Sequence, residues 1–236
     1  PDQNSVESAD RSFTVTQSNE ASTNEIIKIM PTGNSITYAH KYRVSLWDKL
    51  VNQAGYNIDY VGSWQRANNQ LPDTDMEGHP GWGITNFIGK IGNWISDFQP
   101  DHLLLMIGTN DVAWWTWRSI PAMGEDYDEL VDEIMSNLSS DSWLYIATIP
   151  PQSSKVVDVA DHVGPDEDRA ELTKQLNEEI KKIAERRINS GENIILVDLH
   201  SALTMDDMGD DGVHPNDQGY EKIAQKWYEA LINKLP

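Results

Sequence analysis

The chain contains no cysteine, which removes disulfide frameworks, thiolate metal sites and cysteine nucleophiles together. That absence leaves the compartment open, because cysteine-free chains occur on both sides of a membrane. Long apolar runs are also missing. The longest, such as Leu103 to Ile107, fall far below the ~20 residues that a membrane helix needs. Basic side chains are scarce, 18 Lys and Arg against 38 Asp and Glu, for a formal charge of −20. Such a chain offers little positive surface to nucleic acid or to an anionic membrane, so neither is expected as a partner. No signal-peptide pattern opens the sequence, and Pro1 stands where a methionine would, as expected of a processed or trimmed chain. At ~150 residues per domain, 236 residues suit one α/β domain with a sizeable core.

Residues 1–24 are mostly small polar and acidic, with Phe13 the one large apolar group. Burial there cannot offset the entropy of ordering, so this stretch reads as a flexible arm or linker, followed by one domain over 25–236. Short apolar runs rich in β-branched residues then appear at Ile26–Met30, Ile58–Val61, His102–Ile107, Trp143–Ile149 and Ile194–Leu199. Each suits a strand buried on both faces. Helical stripes lie between and after them: Ile84 to Phe98, Leu172 to Ile188 and Tyr220 to Leu231, with weaker ones over 44–54 and 127–138. Strands alternating with helices of this length predict five parallel strands with helices on both faces, in one doubly wound domain. In such sheets functional groups gather at the carboxyl ends of the strands.

The loop after the first run holds Gly33-Asn34-Ser35-Ile36-Thr37. Ser35 can project its hydroxyl at the sheet edge, although serine there is also an ordinary helix cap. The Gly-x-Ser-x-Gly elbow does not fit, because Thr37 stands in place of its second glycine. After the second run, Gly62 in Val61-Gly62-Ser63 offers a backbone N–H, or is simply a loop glycine. After the third, Gly108-Thr109-Asn110-Asp111 places an amide donor that can meet an oxyanion, or makes an Asx turn. After the fifth comes Asp211-Gly212-Val213-His214, a spacing that lets a carboxylate orient an imidazole, but one that also fits a metal half-site or a surface turn. His40, His102 and His162 have no obvious companion and read as structural. His200 is a weaker alternative base.

Jointly, Ser35, Gly62, Asn110 and the Asp211/His214 pair resemble the four blocks of the SGNH or GDSL hydrolase superfamily, from Ile26 to about Trp227. The resemblance implies a flavodoxin-like three-layer α/β/α sandwich around a five-stranded parallel sheet, the SGNH hydrolase fold. It also implies a Ser35–His214–Asp211 triad, with the Ser35 and Gly62 amides and the Asn110 side chain as oxyanion donors. Ile29-Met30-Pro31, Tyr60-Val61-Gly62-Ser63 and Glu77-Gly78-His79-Pro80-Gly81-Trp82 look like carbohydrate esterase family three, mostly secreted acetyl xylan esterases. The expected substrate is thus an acetylated oligo- or polysaccharide, and the expected location is outside the cell. A serine nucleophile requires no metal or other cofactor. The many carboxylates leave a structural calcium ion open, with no diagnostic loop for one, and the sequence identifies no protein partner. The Glu77–Trp82 segment reads equally as a glycine-punctuated loop anchored by Trp82, or as a substrate contact through His79 and Trp82.

One residue departs from the superfamily pattern: Asn34 stands where an aspartate usually precedes the serine. Asparagine keeps the shape and an acceptor but loses the charge and gains a donor. Trp114, Trp115 and Trp117 follow the Asn110 loop, where they would either stack on sugar rings or pack the lid. Two other functions stay open: a lipid-directed esterase or lysophospholipase of the same superfamily, and a weakly active carbohydrate-binding protein on the same fold. Of the acidic surplus, six carboxylates within 125–133 read as a solvated helix face. Four more within 206–211 border His214, which favours a neutral substrate over an anionic one.

Overall fold

A computed structural model of the chain describes residues 25–66, 69–114, 118–154 and 168–236. The expected arm over 1–24, together with His162, Trp115 and Trp117, lies outside the described residues. All five predicted strands form: β1 (Ile27–Gly33), β2 (Ile58–Tyr60), β5 (His102–Met106), β6 (Trp143–Ala147) and β7 (Ile194–Val197). They pair in parallel, with β1 between β2 and β5 and with β6 and β7 beyond. That is the flavodoxin-like order, which reverses between β1 and β5 and opens a crevice at their carboxyl ends.

Two short strands escaped the sequence reading. At Gly62 the chain leaves the edge of β1, and β4 (Asp75–Gly78) takes it over, with Thr32 facing Glu77 and Gly33 facing Gly78. β3 (Trp64–Gln65) runs antiparallel to β4. Runs of two and four residues leave no readable alternation, which is why the pattern missed them.

Along β5 the side chains alternate as a pleated strand requires. Leu103 and Leu105 face a core shared with Ile91, Ile95, Leu130, Ile134, Leu176 and Ile180, and Leu104 and Met106 face one shared with Tyr42, Leu46, Ile223 and Trp227. The first core is built by α3 (Ile91–Phe98), α5 (Ile120–Asn137) and α6 (Arg169–Asn189), and the second by α2 (Lys41–Trp47) and α7 (Asp217–Leu231). The result is three layers. No helix among the described residues is long and apolar enough to cross a membrane.

Two sequence expectations change. The stripe from Ile84 to Phe98 is not one helix: a 3-10 turn over Ile84–Asn86 is separated from α3 by Gly89, which sits at φ +77°. The apolar face carries on through the break because both pieces pack on the same core. The stripe over 44–54 likewise divides, into α2 and a π-helical turn, Asp48–Gln53.

The acidic run 125–133 is only in part a solvated face: Glu125, Glu129 and Asp132 are exposed, but several of its carboxylates are engaged. Asp128 and Asp132 on α5 receive the buried guanidinium of Arg187 from α6, at 2.6 and 2.5 Å. Glu133 accepts from the amides of Gly89 and Gly92 at 2.7 and 3.0 Å, which ties the start of α3 to α5. Asp126 pairs with Arg118. Local sequence shows no cation near these acids because their partners come from other elements.

Candidate active site

β1 ends at Gly33, where any Cβ would lie 2.3 Å from the Met106 carbonyl oxygen of β5. Only glycine lets the two strand ends approach so closely at the point where the sheet order reverses. The next residue, Asn34, caps the short helix α1 (Ser35–Tyr38) by accepting from the Ile36 amide at 3.0 Å. Ser35 is therefore the first helical residue, two positions beyond the end of the strand. Its own amide has no intrahelical acceptor.

Its hydroxyl is 2.7 Å from His214 Nε2, across 179 residues of sequence. His214 Nδ1 lies 2.7 Å from Asp211 Oδ2. Because Nδ1 faces a carboxylate it carries the proton, which leaves Nε2 free to accept from the Ser35 hydroxyl. Burial works to raise the Asp211 pKa. Hydrogen bonds from the Val213 and His214 amides and from the imidazole outweigh it and hold the carboxyl below its ordinary value. The loop carrying this pair is pinned. The Gly209 amide donates to the His214 carbonyl at 2.7 Å, and Asn216 caps α7 through Gly219 while its own amide donates to the Asp206 carbonyl at 2.8 Å. Of the four acids bordering the site, Asp207 is buried and neutralised by Lys222, whereas Asp206 and Asp210 remain on the surface.

Of the expected oxyanion donors, Gly62 leaves the sheet before β1 ends, since Tyr60 faces Ile29 while β4 flanks Thr32 and Gly33. Gly62 lies just past β2, and a Cβ there would be 2.1 Å from the backbone of Met76 in β4. Asn110 begins not an isolated turn but the second position of α4 (Thr109–Trp114). Its Nδ2 donates to the Trp82 carbonyl at 2.7 Å, and its Oδ1 accepts from Trp114 Nε1 at 3.2 Å. These two bonds fix which end of the amide is the donor and leave its second N–H to point elsewhere. Asp111 is buried beside it, and both of its oxygens receive the Ile84 amide, at 3.1 and 3.2 Å.

His200 is turned away from this relay, with Nδ1 at 3.3 Å from the Ile149 carbonyl oxygen. His102 is buried against the Tyr145 hydroxyl at 3.0 Å, and burial brings its pKa down to about 4, so it is neutral and structural.

His79 is 2% exposed and stacks on Trp82 (4.0 Å, 14°), with Trp94 nearly parallel to it (5.2 Å, 22°) and 6.2 Å from Trp82. Lys90 approaches the Trp82 ring at 5.1 Å. Trp82 thus reaches the site through its carbonyl, and His79 lies beneath it. Trp114 is half-buried, with Arg169 over its ring at 5.1 Å. The residue that sequence reasoning missed is Trp64, 43% exposed and two positions beyond Gly62. Tyr38 and His79 both meet it edge-on, at 6.1 and 4.8 Å, so neither ring stacks on it face to face. An aromatic residue directly after an expected donor loop was the available signal. Among the described residues, no three His, Asp or Glu side chains gather into a set that would hold a metal ion.

Comparisons with known proteins agree with the fold. Residues 32–222 match the model of the GDSL-like Lipase/Acylhydrolase family. A multidomain esterase of Ruminococcus flavefaciens is 32% identical over 89% of this chain, which spans only 29% of that relative's length. A family 3 carbohydrate esterase of Clostridium thermocellum superimposes with a TM-score of 0.72 at 32% identity, covering 89% of this chain and 96% of that one. A family 3 carbohydrate esterase from Talaromyces cellulolyticus shares the fold, with a TM-score of 0.73 at 24% identity over 88% of this chain and 97% of that one. The chain belongs to the GDSL-like lipase/acylhydrolase family and is similar to family 3 carbohydrate esterases.

Proposed function

We propose that the chain is a serine esterase that removes acetyl groups from acetylated carbohydrate such as xylan, by way of an acetyl-enzyme on Ser35. The observation that carries this reading is the relay in which the Ser35 hydroxyl and His214 Nε2 lie 2.7 Å apart, with the imidazole held by Asp211.

In this scheme Ser35 Oγ bonds to the ester carbonyl carbon as its proton passes to His214 Nε2, and the ionised Asp211 stabilises the imidazolium. The carbonyl oxygen becomes an oxyanion that receives the Ser35 amide and the second N–H of the Asn110 side chain. Collapse breaks the bond to the sugar oxygen, which takes the proton from His214. Water then repeats the cycle on acetyl-Ser35: it gives a proton to His214 and releases acetate as Ser35 Oγ is reprotonated. The nucleophile is the hydroxyl, so no step draws on a cofactor. A polymeric substrate does not cross a membrane, so the protein acts outside the cell.

For the sugar we assign the exposed ring of Trp64. A pyranose presents an apolar C–H face, and an indole held at its edges by Tyr38 and His79 offers the matching flat surface. The position earlier considered for this role, Trp114, is engaged with Asn110 and Arg169.

The experiment is an acid-quenched reaction with an aryl acetate, followed by peptide mass analysis, together with rates on aryl esters of increasing acyl length. An acetyl group on the Ser35 peptide and a fall in rate beyond the shortest acyl chains are expected. Acylation elsewhere contradicts the mechanism, and a preference for long chains turns the reading toward a lipid-directed esterase. Sugar binding that survives Ser35→Ala, alongside negligible parent turnover, turns it toward a binding protein.

A further inference from the structure

Glu77 of β4 is fully buried, and no Lys or Arg among the described residues pairs with it. Its carboxylate accepts three hydrogen bonds: from the Ser63 amide at 2.8 Å on Oε2, and from the Ser63 hydroxyl at 2.9 Å and His79 Nε2–H at 2.5 Å on Oε1. The Ser63 amide belongs to the peptide that joins Ser63 to Gly62. A carboxylate clamped to it therefore fixes the plane immediately following the Gly62 N–H. The opposite side of Gly62 is set by contact, because it lies flush on the backbone of Met76 and Glu77.

The same segment reaches the Asn110 donor. His79, bonded to Glu77, is stacked on Trp82, and the Trp82 carbonyl takes one N–H of Asn110 at 2.7 Å. Trp94 lies nearly parallel to His79 at 5.2 Å and packs against Trp82 as well. The segment from Glu77 to Trp82 thus links the buried Glu77–His79 pair to the Asn110 carboxamide. Burying a carboxylate and an imidazole in an aromatic box is costly, and an apolar pair would fill the space with less desolvation. His79 Nδ1 is itself buried with no hydrogen-bond partner among the described residues. Packing alone does not account for that choice of side chains.

We infer that Glu77 and His79 are positioning residues for the oxyanion hole: Glu77, held by Ser63, fixes the His79 ring, and His79 supports Trp82, whose carbonyl aims Asn110. The inference rests on the assignment of Asn110 as an oxyanion donor. Neither residue touches substrate. Their effect falls on a charge that develops only in the transition state, so it belongs in kcat rather than KM.

Glu77→Gln tests this, because the amide end placed at Oε1 would confront two donors, the Ser63 hydroxyl and His79 Nε2–H. The expected result on an aryl acetate is a kcat lower by about 10–100-fold, KM within about twofold, and an equally weakened affinity for a phenylboronic acid. The boronate adduct on Ser35 places an oxygen where the oxyanion sits, so its affinity reports the donors directly. Ser63→Ala, at an exposed position, removes one of the three bonds without threatening the core and is expected to lower kcat by a smaller factor, several-fold. Asn110→Ala is the control for the underlying assignment. If Asn110→Ala loses kcat while Glu77→Gln and Ser63→Ala match the parent, the positioning role is overturned and the oxyanion assignment stands. If Asn110→Ala keeps the parent kcat, the assignment itself falls. If Glu77→Gln does not fold, Ser63→Ala decides, and a parent-like kcat and boronic acid affinity there overturns the inference.

Discussion

Asn34 accepts the Ile36 amide at 3.0 Å through Oδ1, and its own Nδ2 is buried with no acceptor among the described residues. The oxygen performs the capping that an aspartate would perform, and the nitrogen is the part that the asparagine adds. The cap, which holds the first turn of α1 and so the serine, needs only a side-chain acceptor. Asn34→Ala should therefore cost about 1–2 kcal/mol in denaturant unfolding and lower kcat, since Ser35 loses its fixed start. Asn34→Asp keeps the acceptor and should leave kcat within about threefold of the parent on an aryl acetate. A gain of a hundredfold would show that the missing charge tunes the site.

Burial raises the Asp111 pKa to about 6, against the opposing hydrogen bond from the Ile84 amide, with Asp126 and Arg118 as the neighbouring charges. A carboxyl raised on folding stabilises fully below its unfolded pKa, and that contribution is lost as pH rises through about 6. Asp111→Asn cannot titrate. Measured by urea unfolding at pH 4 and pH 7, the variant should gain on the parent as pH rises, by on the order of 2–3 kcal/mol. An unchanged difference between the two pH values would remove Asp111 as the titrating group.

Arg187, 5% exposed, joins α6 to α5 through Asp128 and Asp132 and reaches Glu192 at 3.2 Å. Lysine supplies the charge but not the planar fork that meets three carboxylates. Arg187→Lys should destabilise by roughly 1–3 kcal/mol and leave kcat unchanged at a temperature where the protein is folded. A loss of activity without loss of stability would contradict the structural role.

If Trp64 stacks on a sugar ring, removing it matters only when a sugar is present. Trp64→Ala should reduce acetate release from acetylated xylan by about tenfold, equivalent to ~1.4 kcal/mol, with little change on an aryl acetate. Equal losses on both substrates would make Trp64 a packing residue.

The five parallel strands were legible because each lies in a mostly apolar run of the sequence, and Ser35 was legible because it closely follows the first; Asp211 and His214 showed instead as a paired motif just ahead of the last helix. Ser35 and His214 stand 179 positions apart, yet each lies in a loop at a strand's carboxyl end. β3 and β4 were not legible, since they are too short for a period and are held in place by the end of β1. The acidic run on α5 was half legible for a related reason: Arg187, which pairs with Asp128 and Asp132, lies 55 to 59 residues away on another helix. The Glu77–Trp82 segment was visible as a motif, but its two readings differ only in which side chains point outward. The packing of Trp94 beside His79 and Trp82 depends on α3, which no local pattern contains.

The most direct test of the central claim is acetate release from acetylated xylan by the parent chain and by Ser35→Ala, with folding of both verified. The account predicts steady release by the parent and a loss of several orders of magnitude in the variant. Comparable release by both proteins, or none by a folded parent that still hydrolyses other esters, would contradict it.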